Sequence, residues 1–187
     1  MQHFTLNQGW LDKPVKQVKS PNFNERPANT EISLLVVHNI SLPPNRFGSE
    51  DIECFFCNQL DVNKDTYFET IQSLQVSAHC LIKRTGQVMQ FVDFDARAWH
   101  AGRSSFMGQD ECNDYSIGIE LEGADNLPFS RAQYQALAAL IKTLQQHYPA
   151  ITDRRITGHS DIAPGRKTDP GPCFNWAYLQ CLLREML

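Results

Sequence analysis

The sequence predicts an α/β fold: a single domain with a central mixed β-sheet flanked by helices. Three observations carry this expectation. The stretches SLLVVH at 33–38 and SIGIELEG at 116–123 have strand character, and helical spacing follows each of them. Apolar runs at 78–82 and 87–92 flank a glycine-containing turn at 84–86, which makes a hairpin and so a mixed sheet rather than a wholly parallel one. No repeat or compositional break divides the 187 residues, which suffice for one core.

In chain order, residues 1–31 are polar and broken by Pro14, Pro21 and Pro27. They read as an irregular arm wrapped over the catalytic core at 33–187, with Trp10 and Phe23 as anchors. Residues 33–38 form a continuous β-branched and apolar run, as in a strand buried on both faces. This strand ends at His38 and Asn39, where a side chain points into the space above a sheet. Residues 51–60 space Ile52, Phe55, Phe56 and Leu60 along one helical face, and a polar loop containing Tyr67 and Phe68 follows.

His79 and His100 fall near the hairpin and the segment WHAG at 99–102, as ligands, substrate contacts or structural groups. In 116–123, Ile117, Ile119 and Leu121 alternate with Gly118, Glu120 and Glu122. Were this strand to neighbour the first, Glu120 would share a space with His38. Ser130 and Gln133 form a capping box for a helix whose Tyr134, Leu137, Ile141 and Leu144 recur at helical spacing. Asn175 caps a last helix with Trp176, Leu179, Leu183 and Met186 in one stripe.

Composition excludes several functions. Charged residues are 20%, the net charge is −4, and no basic block appears, which argues against a nucleic-acid surface. No apolar run approaches a membrane span, and the first thirty residues lack the apolar core of a signal peptide. The expectation is a cytoplasmic monomer with no nucleic-acid or membrane partner. Six cysteines then read as small buried hydrophobes rather than disulfides, and Cys54 and Cys57 lack a second pair to complete a zinc site.

The stretch GHSDIAPGRKTDPGP at 158–172 gathers a histidine, two aspartates, a lysine and an arginine among prolines and glycines. Its prolines argue against helix and central strand, so it reads as a shaped loop of the kind that carries chemistry. Two histidines and an aspartate make a zinc site with an open position, here His38, His159 and Asp169. Spacing alone supports that set only weakly.

Six motifs together sharpen it: VVHN at 36–39, VSAHC at 76–80, WHAG at 99–102, SIGIELEG at 116–123, GH at 158–159 and RKTDPGP at 166–172. In order and spacing they resemble the AmpD-type zinc amidases, N-acetylmuramoyl-L-alanine amidases of the type 2 superfamily that also holds the peptidoglycan-recognition proteins. The resemblance runs from about residue 9 to residue 180. It implies a mixed sheet flanked by helices and one Zn2+ held by His38, His159 and Asp169. It implies cleavage of the lactyl-amide bond between N-acetylmuramic acid and L-alanine. The preferred substrates and partners would be 1,6-anhydromuramyl peptides from cytoplasmic cell-wall recycling, whose turnover is linked to β-lactamase induction.

On this reading zinc lowers the pKa of water to about 7. Glu120 takes the water's proton and returns it to the leaving amine, while Lys167 stabilises the oxyanion. Glu122 competes with Glu120 as the base. Asn39, Trp99 and His100 are expected to bind sugar and peptide. Arg84, Arg103 and Arg166 are candidates for the peptide carboxylates, with no choice among them. Three rivals remain: a zinc-free peptidoglycan-binding module, an exported amidase acting on intact sacculi, and a cysteine hydrolase using Cys80 beside His79. Neighbouring strand residues point to opposite faces, so that last pair cannot form a dyad.

Overall fold

The computed structural model describes residues 3–12 and 14–186. Its organising element is a six-stranded mixed sheet. In chain order the strands are β1 (Lys16–Gln17), β2 (Leu34–Ile40), β3 (Cys80–Ile82), β4 (Val88–Gln90), β5 (Ser116–Glu122) and β6 (Ile156–Gly158). Their spatial order is β6-β2-β5-β3-β4-β1. The first four in that order run parallel, whereas β3 and β4 form the antiparallel hairpin. Gly86 closes the hairpin at φ +84°, where a side chain would also strike the Ala132 carbonyl.

The alternation in β5 sorts the two faces. Ile117, Ile119 and Leu121 join Leu35 and Val37 in a cluster under the helices α3 (Arg131–His147) and α5 (Trp176–Glu185). The expected capping box is present: Ser130 Oγ accepts from Gln133 N at 3.1 Å, and Gln133 Oε1 accepts from Ser130 N at 3.0 Å. Leu137, Leu140, Ile141 and Leu144 of α3 are fully buried, each stabilising the fold by about 1.5–3 kcal/mol. Asn175 caps α5 through Tyr178 N.

The opposite face has two parts. Helices α1 (Asp51–Phe56) and α2 (Thr66–Ile71) cover Leu81 and Met89 with Phe55, Phe56, Phe68 and Ile71. Beside them, Gly118, Glu120 and His38 are left facing a cleft. A Cβ on Gly118 would lie 2.4 Å from His100 Cγ, so this glycine makes room for an imidazole packed flat against the strand.

The structure corrects several local expectations. The helix expected over 51–60 ends at Phe56, and the loop around Tyr67 contains α2, which Asp65 caps through Tyr67 N at 2.9 Å. A one-turn helix, α4 (His159–Ile162), opens the loop at 158–172 because its first proline comes only at Pro164. The arm is more ordered than expected. It contributes β1 to the sheet edge, and Phe23–Asn24 pairs with Arg97–Ala98. Its buried anchors are Leu11 and Val15, whereas Phe23 is 46% exposed. All six cysteines are free, but only Cys80 and Cys112 are buried. Among the described residues no helix is long and apolar enough to cross a membrane.

Candidate active site

Parallel pairing of β2 with β5 places Glu120 directly opposite His38, on the same face. From the other side of β2, β6 delivers the loop at 158–172. Asp161 Oδ2 accepts from Gly158 N at 3.0 Å and Thr157 Oγ1 at 2.8 Å, which fixes the start of α4. The loop then returns, and Ser160 N donates to Asp169 O at 2.9 Å. The backbone bond across the loop sets His159 and Asp169 side by side next to His38. Gly158 permits the return, since a Cβ there would meet Pro170 Cδ at 2.8 Å.

Three ligand atoms converge. His38 Nδ1, His159 Nδ1 and Asp169 Oδ2 lie 3.0 Å from one another. Such a group can hold a metal ion. The other ring nitrogens are engaged from behind: His38 Nε2 lies 3.0 Å from His100 Nδ1, and His159 Nε2 lies 3.1 Å from Ala101 O.

Burial lowers the His38 pKa to about 4, so the ring is neutral and a lone pair is free at pH 7. Burial pushes the Asp169 carboxyl up, but its contacts with the His159 and His38 rings outweigh that and hold the group below the usual carboxylate range. Burial, then the charge of Asp169, raises Glu120 well above it, with Lys167 opposing. Glu120 Oε2 is buried without a hydrogen-bond partner. An orphaned carboxylate oxygen beside a metal-competent cluster is suited to exchange a proton.

These groups line a cavity of about 650 Å³. Asn39, Trp99, His100, Glu120 and Lys167 all border it, and Asn39 and Trp99 are braced by Asp125 at 2.7 Å and Asn24 at 2.6 Å. Both ring nitrogens of His100 face protein groups, with Nε2 3.1 Å from Ser116 Oγ. Sequence reasoning missed Tyr67, Leu74 and Asp125 on the cavity wall. No local pattern in the sequence marks them: Tyr67 and Leu74 are large apolar side chains left exposed only by the way the chain folds.

Glu122 leaves the competition with Glu120. Its two oxygens accept from Gly48 N at 2.6 Å and Arg84 N at 3.0 Å, away from the cavity. None of the three candidate arginines borders the cavity. Arg84 Nη2 donates to Pro128 O at 2.9 Å, Arg166 Nη2 donates to Ala101 O and Arg103 O, and Arg103 is exposed. His79 is structural: Gly118 N donates to its Nδ1 at 3.0 Å, and its Nε2 lies 3.2 Å from Ala96 O.

Comparison with known proteins agrees with this architecture. Residues 28–172 match the N-acetylmuramoyl-L-alanine amidase family, and the chain belongs to that family. It is 53% identical over 178 residues to the 1,6-anhydro-N-acetylmuramyl-L-alanine amidase AmpD of Citrobacter freundii, covering 95% of this chain and 94% of that one. It is 52% identical over 180 residues to AmpD of Escherichia coli K12, covering 96% and 97%. A crystal structure of a selenomethionine derivative of AmpD superposes with a TM-score of 0.92 at 52% identity, covering 96% of this chain and 99% of that one. The chain is therefore an N-acetylmuramoyl-L-alanine amidase with the mixed-sheet α/β fold of those enzymes.

Proposed function

We propose that this amidase is zinc-dependent. It hydrolyses the bond between 1,6-anhydro-N-acetylmuramic acid and L-alanine in peptidoglycan turnover fragments during cytoplasmic cell-wall recycling. The observation that carries the proposal is the convergence of His38, His159 and Asp169 beside the orphaned Glu120 oxygen in one cavity. Tetrahedral zinc with bonds of about 2.0–2.2 Å spaces its ligands by roughly 3.3–3.6 Å, close to the 3.0 Å separations here. Two imidazoles and one carboxylate are also a donor set used by catalytic zinc. The shared 1,6-anhydro specificity in the names of relatives spanning about 95% of the chain supports the substrate.

When bound, zinc supplies Lewis acidity that acidifies water and polarises the lactyl carbonyl. Glu120 Oε2 accepts the proton of the attacking water and delivers it to the departing L-alanine nitrogen. The raised pKa of Glu120 keeps that proton long enough for delivery. Lys167, which borders the cavity from the loop, offers an ammonium to the oxygen that gains charge. Asn39 and Trp99 shape the wall for sugar and peptide. By removing anhydromuramyl peptides the enzyme restrains the signal that induces β-lactamase.

Mass spectrometry of products tests the assignment, with anhydromuramyl tripeptide compared against intact sacculi. The expected products are free tripeptide and anhydro sugar from the first substrate, with slow release from the second. Equal cleavage of both overturns the recycling role.

A further inference from the structure

The segment at 98–102 lies behind both histidines of the cluster and touches each of them. His100 Nδ1 lies 3.0 Å from His38 Nε2, and Ala101 O lies 3.1 Å from His159 Nε2. One side chain holds the two supporting residues together, since Asn113 Oδ1 accepts from His100 N at 3.2 Å and from Ala101 N at 2.8 Å. Asn113 is itself buried at 5% exposure.

The direction of every bond in this array can be worked out from its ends. Cys112 O can only accept, so Ser116 Oγ donates to it. The Ser116 oxygen then accepts from His100 Nε2–H at 3.1 Å. With its proton on Nε2, His100 must accept at Nδ1, and the donor there is His38 Nε2–H. His38 is left with an unprotonated Nδ1. On the other side Ala101 O can only accept, so His159 donates from Nε2 and is likewise left with a bare Nδ1. The two bare nitrogens are those that converge with Asp169 Oδ2.

We propose that His100 is a positioning residue for the metal centre. Through Ser116 and Cys112 it fixes the tautomer and ring orientation of His38, and Asn113 aligns it with the carbonyl that does the same for His159. Gly118 belongs to the device, because the His100 ring occupies the space its Cβ would need. This inference rests on the zinc reading of the cluster. Such supporting groups act on metal affinity rather than on substrate contact, and their loss typically costs about 10–100-fold in binding.

The test is a zinc competition titration against a chromophoric chelator, together with the visible absorption of the cobalt(II)-substituted protein. Wild type, H38A, H100L and H100N are compared, and thermal unfolding of the metal-free forms checks their folding. Leucine removes the acceptor, whereas asparagine restores an oxygen where Nδ1 stands. Zinc affinity is expected to fall about 10–100-fold in H100L, with a changed cobalt spectrum, and to recover in H100N to within a few-fold of wild type. S116A, which removes the acceptor for His100 Nε2–H along with the bond to Cys112 O, is expected to weaken zinc by several-fold and decides the matter should H100L fail to fold. Wild-type affinity in H100L or S116A, or no recovery in H100N, overturns the proposal while H38A still loses zinc. Equal zinc binding by wild type and H38A overturns the metal reading along with it.

Discussion

Glu120 and His38 are paired in register on adjacent parallel strands, with both side chains on the face turned away from α3 and α5. Strands so paired lie about 4.8 Å apart. The buried Glu120 carboxylate and the first metal-competent histidine are thus both held by paired strands of the central sheet. Only the loop at 158–172 has to bring the remaining groups to them.

Metal binding should depend on all three converging side chains. Removing one ligand leaves two, fewer than the three protein ligands that catalytic zinc sites use. The variants D169A and H159A are expected to fall from about one zinc per chain to near zero by elemental analysis. Prolonged chelation of the wild type should abolish hydrolysis, and added zinc should restore it.

The two strand carboxylates should separate cleanly on mutation. Glu122 is 2% exposed, accepts two backbone amides and lies 4.0 Å from Lys83 Nζ, which also meets Glu53 at 2.9 Å. The variant E122Q can no longer accept on both arms, a loss of about 1–3 kcal/mol. A lower melting temperature with turnover per folded molecule within a few-fold of wild type is expected. Large loss of turnover at unchanged stability would return Glu122 to the chemistry.

Acid should destabilise the protein through His79. Burial, then the nearby Arg26 charge, lowers its pKa from 6.5 to about 3 in the folded state. Between those values the unfolded chain binds the extra proton. Stability from this group is therefore complete above about pH 6.5 and is lost as pH falls towards 3, by about 1.4 kcal/mol per unit. Urea unfolding of H79Q across that range should show a shallower pH slope than wild type by up to one proton.

The legible parts of this molecule were those whose pattern is local. The alternation in β5, the capping box at Ser130 and the Asn175 cap could each be read from a few adjacent residues, and each lies where it was expected. Helix α2 was not legible, because its six residues are too few to show a period and are held by the burial of Phe68 and Ile71. The arm failed for the opposite reason: its order comes from long-range contacts such as Leu11 N donating to Gln90 Oε1 at 2.7 Å. At the site, histidines and acids could be named from their motifs. Which of them face a cavity, and which stand behind those that do, depends on the closing of 158–172 over β2. His100 shows the difference, since a sequence places it beside Trp99 but cannot show that Ser116 and His38 hold both its nitrogens.

The role of Glu120 is tested most directly by the turnover of anhydromuramyl tripeptide by E120Q carrying one zinc per chain. Glutamine keeps the shape of the side chain and the occupancy of the metal site but cannot accept the proton. A kcat about 10²–10⁴-fold below wild type with zinc affinity retained is expected. Near-wild-type turnover by the zinc-loaded variant would contradict it.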